Sequence, residues 1–539
     1  MAAIIDTGIP NHDQGYVLRM CLCLVGLAAI GFAAAVTAQY FSAHAAIGFA
    51  ARLRHVLMEH IQGLSYTELD QVGTSTLITR MTSDVNQVQT GVNMALRLLL
   101  RSPFVVFGAM IMAFTIDTEI ALIFVGVILV LFLIIFGLMG LTIPRYRKVQ
   151  NQLDTVTAAT RENLTGVRVI RAFCQEEQQE ERFNGLNQKL TALQLNVGRI
   201  SAAMNPLTYV VINLAVILLL NQGALKVQAG GLTQGQVVAL YNYMSQILVE
   251  LVKLANLIVT LTKALACANR VSKVLELQSS LPYGTLSPAP DAPRGSVVFD
   301  HVSMRYQGAG AEALTDITFS AKPGQTVGII GGTGSGKSTL VHLIPRFYDT
   351  TAGTVSLDGM DVRSLSKEAL RRRIAVVPQK AVLFKGTIRS NLLWGNPHAT
   401  EEDLQQALTV AQALDVVASK DKGLEEEVEQ GGRNFSGGQR QRLTIARALV
   451  AHPEVLILDD SASALDYATD AALRRAIRTM EAPPTTFIVS QRAASVRFAD
   501  FILVLDDGRV VGMGTHDELL ASCPIYREIY DSQFEKEAK

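Results

Sequence analysis

Residues 331–338 read GGTGSGKS and follow the spacing G-x-x-x-x-G-K-S. Glycines in this pattern let backbone N–H groups close around a phosphate, and the start of the following helix adds partial positive charge. In such a loop Lys337 reaches the terminal phosphates of a nucleotide, and the hydroxyl of Ser338 binds Mg²⁺. The pattern therefore predicts ATP and Mg²⁺ as ligands. The residues expected to hold the nucleotide here are Gly331, Gly334, Ser335, Gly336, Lys337, Ser338 and Thr339.

A strand before this loop and a helix after it must hold it in shape. The apolar run 326–330 predicts a short buried strand, and the amphipathic stretch 338–346 predicts a helix. Strand and helix patterns continue to alternate along the rest of the chain, which predicts an α/β nucleotide-binding domain over residues 296–539. Residues 273–295 include a segment rich in Pro, Gly and Ser and are predicted to be a linker.

The first half of the chain is apolar, and the mean hydropathy of the whole chain is +0.26. Five apolar runs approach the length of a membrane span. They cover residues 17–40, 98–116, 120–143, 200–220 and 236–261. Residues 1–272 are therefore predicted to form a transmembrane domain that lies in a lipid bilayer.

The loops between these runs differ in charge. Segments 41–101 and 144–199 hold many Lys and Arg residues, so the positive-inside rule places them in the cytosol, with the nucleotide-binding domain. Both segments continue the helical period past membrane length, by roughly 35–40 Å at about 1.5 Å per residue. With no leader or organelle signal, we expect an integral protein of a bacterial inner membrane.

Five spans ending in a cytosolic domain would place Met1 outside the cell. Residues 1–16 lack the basic, apolar and small-residue regions of a signal peptide. We therefore expect a further span to precede this sequence.

Composition excludes other classes. The chain carries 48 basic and 48 acidic residues, so it has no basic excess for binding nucleic acid. Its cysteines show no spacing typical of a metal site or a disulfide framework. They are Cys21, Cys23, Cys174, Cys267 and Cys523.

A second motif, NFSGGQRQR at residues 434–442, resembles the signature of the ATP-binding cassette (ABC) proteins. Its glycine-rich turn before a helix would present backbone amides and the helix dipole to a phosphate. The residues that match the signature core are Ser436, Gly437, Gly438 and Gln439. With the membrane half placed first, the chain is similar to the exporter branch of the family. The implied fold is an α-helical transmembrane domain followed by an α/β P-loop ABC nucleotide-binding domain.

The resemblance implies further roles. Tyr306 would stack on adenine, Gln379 would contact Mg²⁺ and sense the membrane domain, and Asp459 would be the Mg²⁺-associated acid at the end of an apolar strand. Residues 463–466 look like the loop that crosses the dimer interface. Segments 73–85 and 162–173 resemble the regions around the two coupling helices. Exporters of this kind carry six spans in each half and work as dimers of halves.

Two positions depart from the family pattern. Asp460 stands where the family has a glutamate that acts as general base, and Gln491 stands where it has a histidine that contacts the γ-phosphate. Together they predict a degenerate ATP site within a heterodimer, in which Ser436 acts on the ATP of a second half-transporter. The alternatives are an active homodimer, a regulatory nucleotide-binding subunit and a truncated relic.

The sequence says little about the cargo. The last span carries Tyr241, Asn242, Gln246 and Glu250, a mixed polar and apolar wall that favours amphipathic small molecules or lipids. Glu250 and Lys253 are spaced for an ion pair within one helix, although Glu250 could instead contact cationic amphiphiles.

Overall fold

The computed structural model describes residues 1–99, 101–287 and 294–534. The chain forms two compact units. The first, here the membrane unit, comprises Met1–His60 and Ser75–Glu276, and the second, here the nucleotide unit, comprises Ile61–Thr74 and Leu277–Lys539. Residues 288–293 of the predicted linker lie outside the described residues.

Long helices dominate the first half of the chain. In chain order the helices are α1 (Gln14–Gly63), α2 (Tyr66–Val72), α3 (Thr74–Thr79), α4 (Val85–Met94), α5 (Arg101–Ile116), α6 (Thr118–Thr165), α7 (Val167–Ala172), α8 (Glu176–Ala202), α9 (Met204–Gln228) and α10 (Gln234–Leu275). Single π-helical turns occur at Ile4–Gly8, Arg80–Asp84 and Ala95–Leu99.

Five helical stretches of the described chain are long and apolar enough to cross a membrane. They are Gln14–Gly63, Thr74–Ile116, Thr118–Thr165, Glu176–Gln228 and Gln234–Leu275. Each contains one of the five predicted spans, apart from residue 100, which lies outside the described residues. The predicted helical transmembrane half is therefore confirmed.

Helix α6 is longer than the hydrocarbon core of a bilayer is thick. It runs for 48 residues, or about 72 Å, against a hydrocarbon core of about 30 Å. The side chain of Asp117 caps its first turn by accepting a hydrogen bond from the N–H of Ile120 at 2.9 Å. The backbone N–H of Gly166 closes its end on the carbonyl of Glu162. Its apolar face lies in a core with α5, α9 and α10.

Glu250 is 3% exposed within this unit. Its carboxylate accepts hydrogen bonds from Nζ of Lys253 and from Oγ of Ser102, both at 2.8 Å. A buried carboxylate with two donors is satisfied within the protein. This geometry favours the ion-pair interpretation of Glu250 over a contact with cationic cargo.

The second half of the chain alternates short strands and helices. Its strands are β1 (Val297–Met304), β2 (Leu314–Ala321), β3 (Thr326–Gly331), β4 (Ala352–Leu357), β5 (Met360–Asp361), β6 (Ile374–Val377), β7 (Gly386–Thr387), β8 (Glu427–Val428), β9 (Val455–Asp459), β10 (Thr485–Val489), β11 (Phe501–Asp506) and β12 (Arg509–Gly514). Its helices are α11 (Lys337–Leu343), α12 (Lys367–Arg373), α13 (Ile388–Leu392), α14 (Glu401–Val410), α15 (Leu414–Ala418), α16 (Gly437–Leu449), α17 (Tyr467–Arg478), α18 (Ala493–Val496), α19 (His516–Ser522) and α20 (Pro524–Phe534).

The central sheet of this unit has the strand order β12-β11-β3-β10-β9-β6. Strands β11, β3, β10, β9 and β6 run parallel, and β3, β9 and β10 are buried along their whole length. Parallel strands end at the same edge of a sheet, so the segments that follow β3, β10, β9 and β6 meet there. A second, antiparallel sheet has the order β2-β1-β4-β5.

The helix after the phosphate loop is shorter than the sequence predicts. We expect a helix over residues 338–346, but α11 ends at Leu343. Arg346 adopts a left-handed backbone with φ of 54° and is 2% exposed. Its guanidinium donates to the carbonyl of Pro282 and to Asp349, both at 2.8 Å. The tertiary hydrogen bond to Pro282, together with the local bond to Asp349, outweighs the helical pattern of the sequence.

Candidate nucleotide-binding site

The predicted phosphate loop lies between β3 and α11. Gly334 and Gly336 adopt φ of 84° and 93°, in the left-handed region that favours glycine. A Cβ atom at Gly336 would also lie 2.8 Å from the carbonyl oxygen of Ala313. The backbone geometry of the loop therefore requires glycine at positions 334 and 336.

Lys337 occupies the first position of α11 and is 8% exposed. Its Nζ donates to the carbonyls of Gly331 at 3.0 Å and Gly332 at 2.5 Å. Burial lowers the pKa of this ammonium group, while the charges of Asp460 and Asp459 oppose that shift. The ammonium group therefore lies within the loop, close to the backbone that would surround a phosphate.

Oxygen ligands suited to Mg²⁺ meet beside the loop. The Oγ of Ser338 donates to Oδ1 of Asp459 at 2.9 Å, although the two residues are 121 positions apart. Asp459 ends β9 and is 4% exposed. A hydroxyl oxygen and a carboxylate are the hard ligands that Mg²⁺ prefers. These residues therefore fit the predicted metal.

His342 lies near the same carboxylate, with its Nε2 at 3.7 Å from Oδ2 of Asp459. Burial lowers the pKa of this imidazole, and the charge of Asp459 only partly opposes that effect. Burial thus favours a neutral histidine beside the metal-binding position.

Asp460 follows Asp459 and adopts φ of 46°, a conformation that aspartate tolerates better than most residues. Its Oδ2 accepts a hydrogen bond from Nε2 of Gln379 at 3.1 Å. Burial raises the pKa of this carboxyl group, as does the charge of Asp459, against the effects of Gln379, Arg492 and Lys337. The structure thus brings Gln379, Asp459, Asp460 and the phosphate loop together.

Gln491 lies two residues beyond the end of β10, the strand between β3 and β9. Its side chain is exposed. The position is therefore at the same edge of the sheet as the phosphate loop and Asp460.

Tyr306 follows strand β1 of the antiparallel sheet, and its hydroxyl lies 3.0 Å from Oγ1 of Thr339. Its ring and that of Tyr348 pack nearly perpendicular to each other, with centroids 5.1 Å apart. Both tyrosines line a cavity of about 530 Å³ that also includes Asp70. An aromatic residue thus lies beside the first turn of α11, where a nucleobase could stack.

The signature motif lies apart from this cluster. Ser436 caps α16: its Oγ accepts from the N–H of Gln439 at 3.3 Å, and Oε1 of Gln439 accepts from the N–H of Ser436 at 3.0 Å. Ser436 and Gly437 are exposed, and Gly438 is half-buried. Within the described ranges, no hydrogen bond or ion pair joins residues 436–439 to residues 331–339. The capped start of α16 is therefore exposed to solvent at Ser436 and Gly437.

Similarity to known proteins covers both halves of the chain. The family model described as the ABC transporter transmembrane region matches residues 1–251, and the model described as ABC transporter matches residues 314–463. The uncharacterized ABC transporter ATP-binding protein YfiB of Bacillus subtilis is 36% identical over 100% of this chain and 93% of its own length. The chain belongs to the ABC transporter family.

Other relatives of this ABC transporter have more specific names. A probable multidrug resistance ABC transporter ATP-binding/permease protein of Bacillus subtilis, YheI, is 34% identical over 95% of this chain and 88% of its own length. An ATP-dependent lipid A-core flippase of Yersinia pestis is 28% identical over 98% of this chain and 91% of its own.

A solved structure of a bacterial Atm1-family ABC exporter with ATP bound has the same fold. It aligns with a TM-score of 0.82 at 22% identity, covering 98% of this chain and 93% of that one. The predicted exporter architecture, a helical transmembrane half followed by an α/β ABC domain, is confirmed.

Sequence reasoning on this ABC transporter misses the short helix α2, which belongs to the nucleotide unit. The rings of Tyr66 and Phe347 lie 4.7 Å apart, and the hydroxyl of Tyr348 donates to Asp70 at 2.6 Å. Burial raises the pKa of Tyr348, and the hydrogen bond to Asp70 raises it further, so the hydroxyl stays a donor. The only local signal is the Ser65–Glu68 capping box at the start of α2.

Proposed function

We propose that this chain is one half of a heterodimeric ABC exporter that moves amphipathic small molecules or lipids. In this proposal its own ATP site binds nucleotide and hydrolyses it poorly. The observation that carries it is the pair Asp460 and Gln491, which stand at the two positions where the family has glutamate and histidine. Both follow parallel strands at the edge of the sheet that holds the phosphate loop.

Asp460 keeps a negative charge but is one methylene shorter than glutamate. Its carboxylate already accepts a hydrogen bond from Gln379, and its backbone N–H is fixed on the carbonyl of Val489 at 3.0 Å. The shorter side chain cannot advance toward an attacking water without moving this backbone. A misplacement of about 1 Å can cost about a hundredfold in rate.

Gln491 can donate a hydrogen bond to a phosphate oxygen but carries no proton that titrates near neutral pH. It can therefore help to hold ATP without the charge that a protonated histidine would bring to the transition state. The loss of the proton at position 491 would add to the loss of the methylene at position 460, because both residues follow neighbouring strands, β10 and β9.

The groups that would bind ATP and Mg²⁺ are intact in this chain. Lys337 and the glycine-rich backbone would hold the phosphates, Tyr306 would stack on adenine, and Ser338 and Asp459 would ligate Mg²⁺ with the help of Gln379. The metal would neutralise the charge that develops on the phosphate oxygens. This chain's residues then bind and orient ATP, while Asp460 and Gln491 limit the attack of water.

The exposed signature supplies the other half of the proposal. Ser436 and the backbone amides in the first turn of α16 would contact ATP held by the phosphate loop of the partner subunit. A serine hydroxyl and a helix N-terminus are suited to phosphate oxygens. The intact signature would therefore serve a catalytically competent site on the partner, and the partner's signature would close the slow site.

The proposed cargo rests on chemistry and on relatives. The last membrane helix mixes Tyr241, Asn242 and Gln246 with apolar residues, which suits cargo that is partly polar. The names of the relatives mention multidrug resistance and a lipid A-core flippase. We place the protein in a bacterial inner membrane, with its nucleotide unit in the cytosol.

Co-purification and ATPase assays test this proposal. We expect the tagged chain to capture a second ABC half-transporter with glutamate and histidine at the two substituted positions. ATP hydrolysis by the pair is expected to exceed that of this chain alone by at least about tenfold. Brisk hydrolysis and cargo transport by this chain alone in vesicles would support the homodimeric exporter instead. A pair that hydrolyses ATP without moving cargo would favour a regulatory subunit, and no nucleotide binding would favour a relic.

The contact between Tyr348 and Asp70 predicts how firmly α2 is held. Tyr348→Phe keeps the ring but removes the donor to an exposed carboxylate, a loss of about 1 kcal/mol, or roughly fivefold in a local opening equilibrium. Amide hydrogen exchange of residues 66–72 is therefore expected to become about fivefold faster. Tyr283→Phe is the matched control, because among the described residues that hydroxyl accepts a hydrogen bond from Arg371 and none joins it to α2. Equal exchange rates in both variants would contradict the assignment.

A further inference from the structure

The amide of Gln533 makes two hydrogen bonds to the backbone that follows β10. Its Nε2 donates to the carbonyl of Gln491 at 2.8 Å, and its Oε1 accepts from the N–H of Ala493 at 2.8 Å. Arg492, between them, is extended, with φ of −95° and ψ of 119°. In an extended segment a carbonyl and the N–H two residues later face the same side, as they do toward a parallel strand. One carboxamide can satisfy both.

The helix that carries Gln533 is anchored in the core. Tyr526 of α20 is fully buried, and its hydroxyl lies 2.8 Å from Nδ1 of His516. Tyr530 and Phe534, on either side of Gln533 in the helix, pack against the core cluster that contains Ala493 and Val496. The amide is therefore presented from a fixed element.

The held segment leads to the catalytic positions. Nη2 of Arg492 donates to the carbonyl of Ser463 at 3.2 Å, and its guanidinium lies 5.5 Å from the ring centroid of Tyr467. Ser463 donates from its Oγ to the carbonyl of Asp460 at 2.8 Å. A continuous set of contacts thus runs from Gln533 through Arg492 to the loop after β9.

We propose that Gln533 is a positioning residue for ATP turnover. Here its two hydrogen bonds to Gln491 and Ala493 are called the C-terminal clamp. The clamp sets the backbone of Gln491 directly and, through Arg492, the position of residues 460–466. The inference rests on the proposed function, in which Gln491 faces this chain's ATP and residues 463–466 cross to the partner. It adds a group, remote in sequence from every ATP-binding motif, on which the geometry of both sites depends.

The clamp does not touch the phosphate loop. Among the described residues, the hydrogen bonds of Lys337, Ser338 and Tyr306 involve neither Gln533 nor residues 491–493. Loss of the clamp is therefore expected to change the rate of turnover and to leave nucleotide binding almost unchanged. If the helix served only as an anchor, loss of the clamp would not lower the rate of turnover while leaving nucleotide binding unchanged.

The test compares variants of the full chain, assembled with its partner subunit in lipid nanodiscs. Gln533→Met keeps the length of the side chain and removes both hydrogen bonds. We expect kcat of the pair to fall about tenfold, because residues 463–466 would cross to the partner's competent site and small displacements at a catalytic site have large kinetic effects. KM for ATP is expected to stay within about twofold. Gln533→Glu keeps the acceptor but sets a carboxylate against the Gln491 carbonyl, so its kcat is expected to be no higher than that of Gln533→Met. The control is Ser532→Ala, on the same helix. In the part of the chain that the structure describes, the Oγ of Ser532 donates within its own helix, to the carbonyl of Ile529.

A parental kcat in Gln533→Met, or an equal loss in Ser532→Ala, would overturn the inference. So would a KM that rises in proportion to the loss of rate. Failure of the heterodimer proposal is a separate result, because it appears in the parent chain as brisk hydrolysis without a partner. In that case the same variants are compared in the homodimer, and the kcat ratio still decides the role of Gln533.

Discussion

Ser436→Ala is expected to lower ATP hydrolysis by the assembled pair about a hundredfold, whereas Asp460→Asn lowers it less than about threefold. Removing one donor to the developing phosphate charge typically costs about a hundredfold or more. Ser436 would act at the partner's competent site, while Asp460 belongs to a site that contributes little turnover. Steady-state ATPase rates of both variants in the assembled pair provide the measurement.

Ser436→Thr is the matched control for this experiment. Threonine keeps a hydroxyl that can cap α16, so the helix start is preserved, whereas alanine removes a cap worth about 1 kcal/mol. Thermal unfolding of both variants separates a loss of catalysis from a loss of structure. If Asp460→Asn abolished turnover and Ser436→Ala left it intact, the roles of the two subunits would be reversed.

The combined substitutions Asp460→Glu and Gln491→His are expected to raise hydrolysis at this chain's site about a hundredfold. Glutamate restores the missing methylene, and histidine restores a group that can carry a proton. The rate should be measured in a pair whose partner carries Gln for its own catalytic glutamate, so that turnover reports this site.

The single substitutions are the controls, and each is expected to recover only part of the gain because both groups serve one transition state. Glutamate tolerates the left-handed backbone at position 460 less well than aspartate, so the stability of each variant should be measured alongside. A double variant no faster than the parent would mean that some other feature of this site limits its rate.

Much of this molecule is predictable because its signals are local. The phosphate loop follows from glycine spacing, and the membrane spans follow from apolar runs of sufficient length. Other contacts have no local signal. Tyr348 meets Asp70 across 278 positions of sequence, and Gln533 reaches Gln491 from a helix that carries no recognised motif. Such pairings depend on tertiary packing, which periodicity does not encode.

The proximity of Gln379 to Asp460 is an intermediate case. Each residue follows an apolar run that is identifiable as a strand, but their closeness depends on β6 and β9 being neighbours in the sheet. That order involves strands about 80 residues apart in the chain, with α16 and its signature between them. The type of each element could be predicted from sequence, whereas the sheet order could not.

Helix α2 belongs to the same compact unit as the nucleotide-binding residues, although more than 200 positions separate them in the chain. A soluble fragment that began at Leu277 would lose this helix, and Phe347 and Tyr348 would lose the cover of Tyr66. Uncovered aromatic surface favours self-association. Fusing residues 61–74 to such a fragment through a flexible linker would cover these aromatic residues again. The fused fragment is expected to self-associate less than the fragment that begins at Leu277.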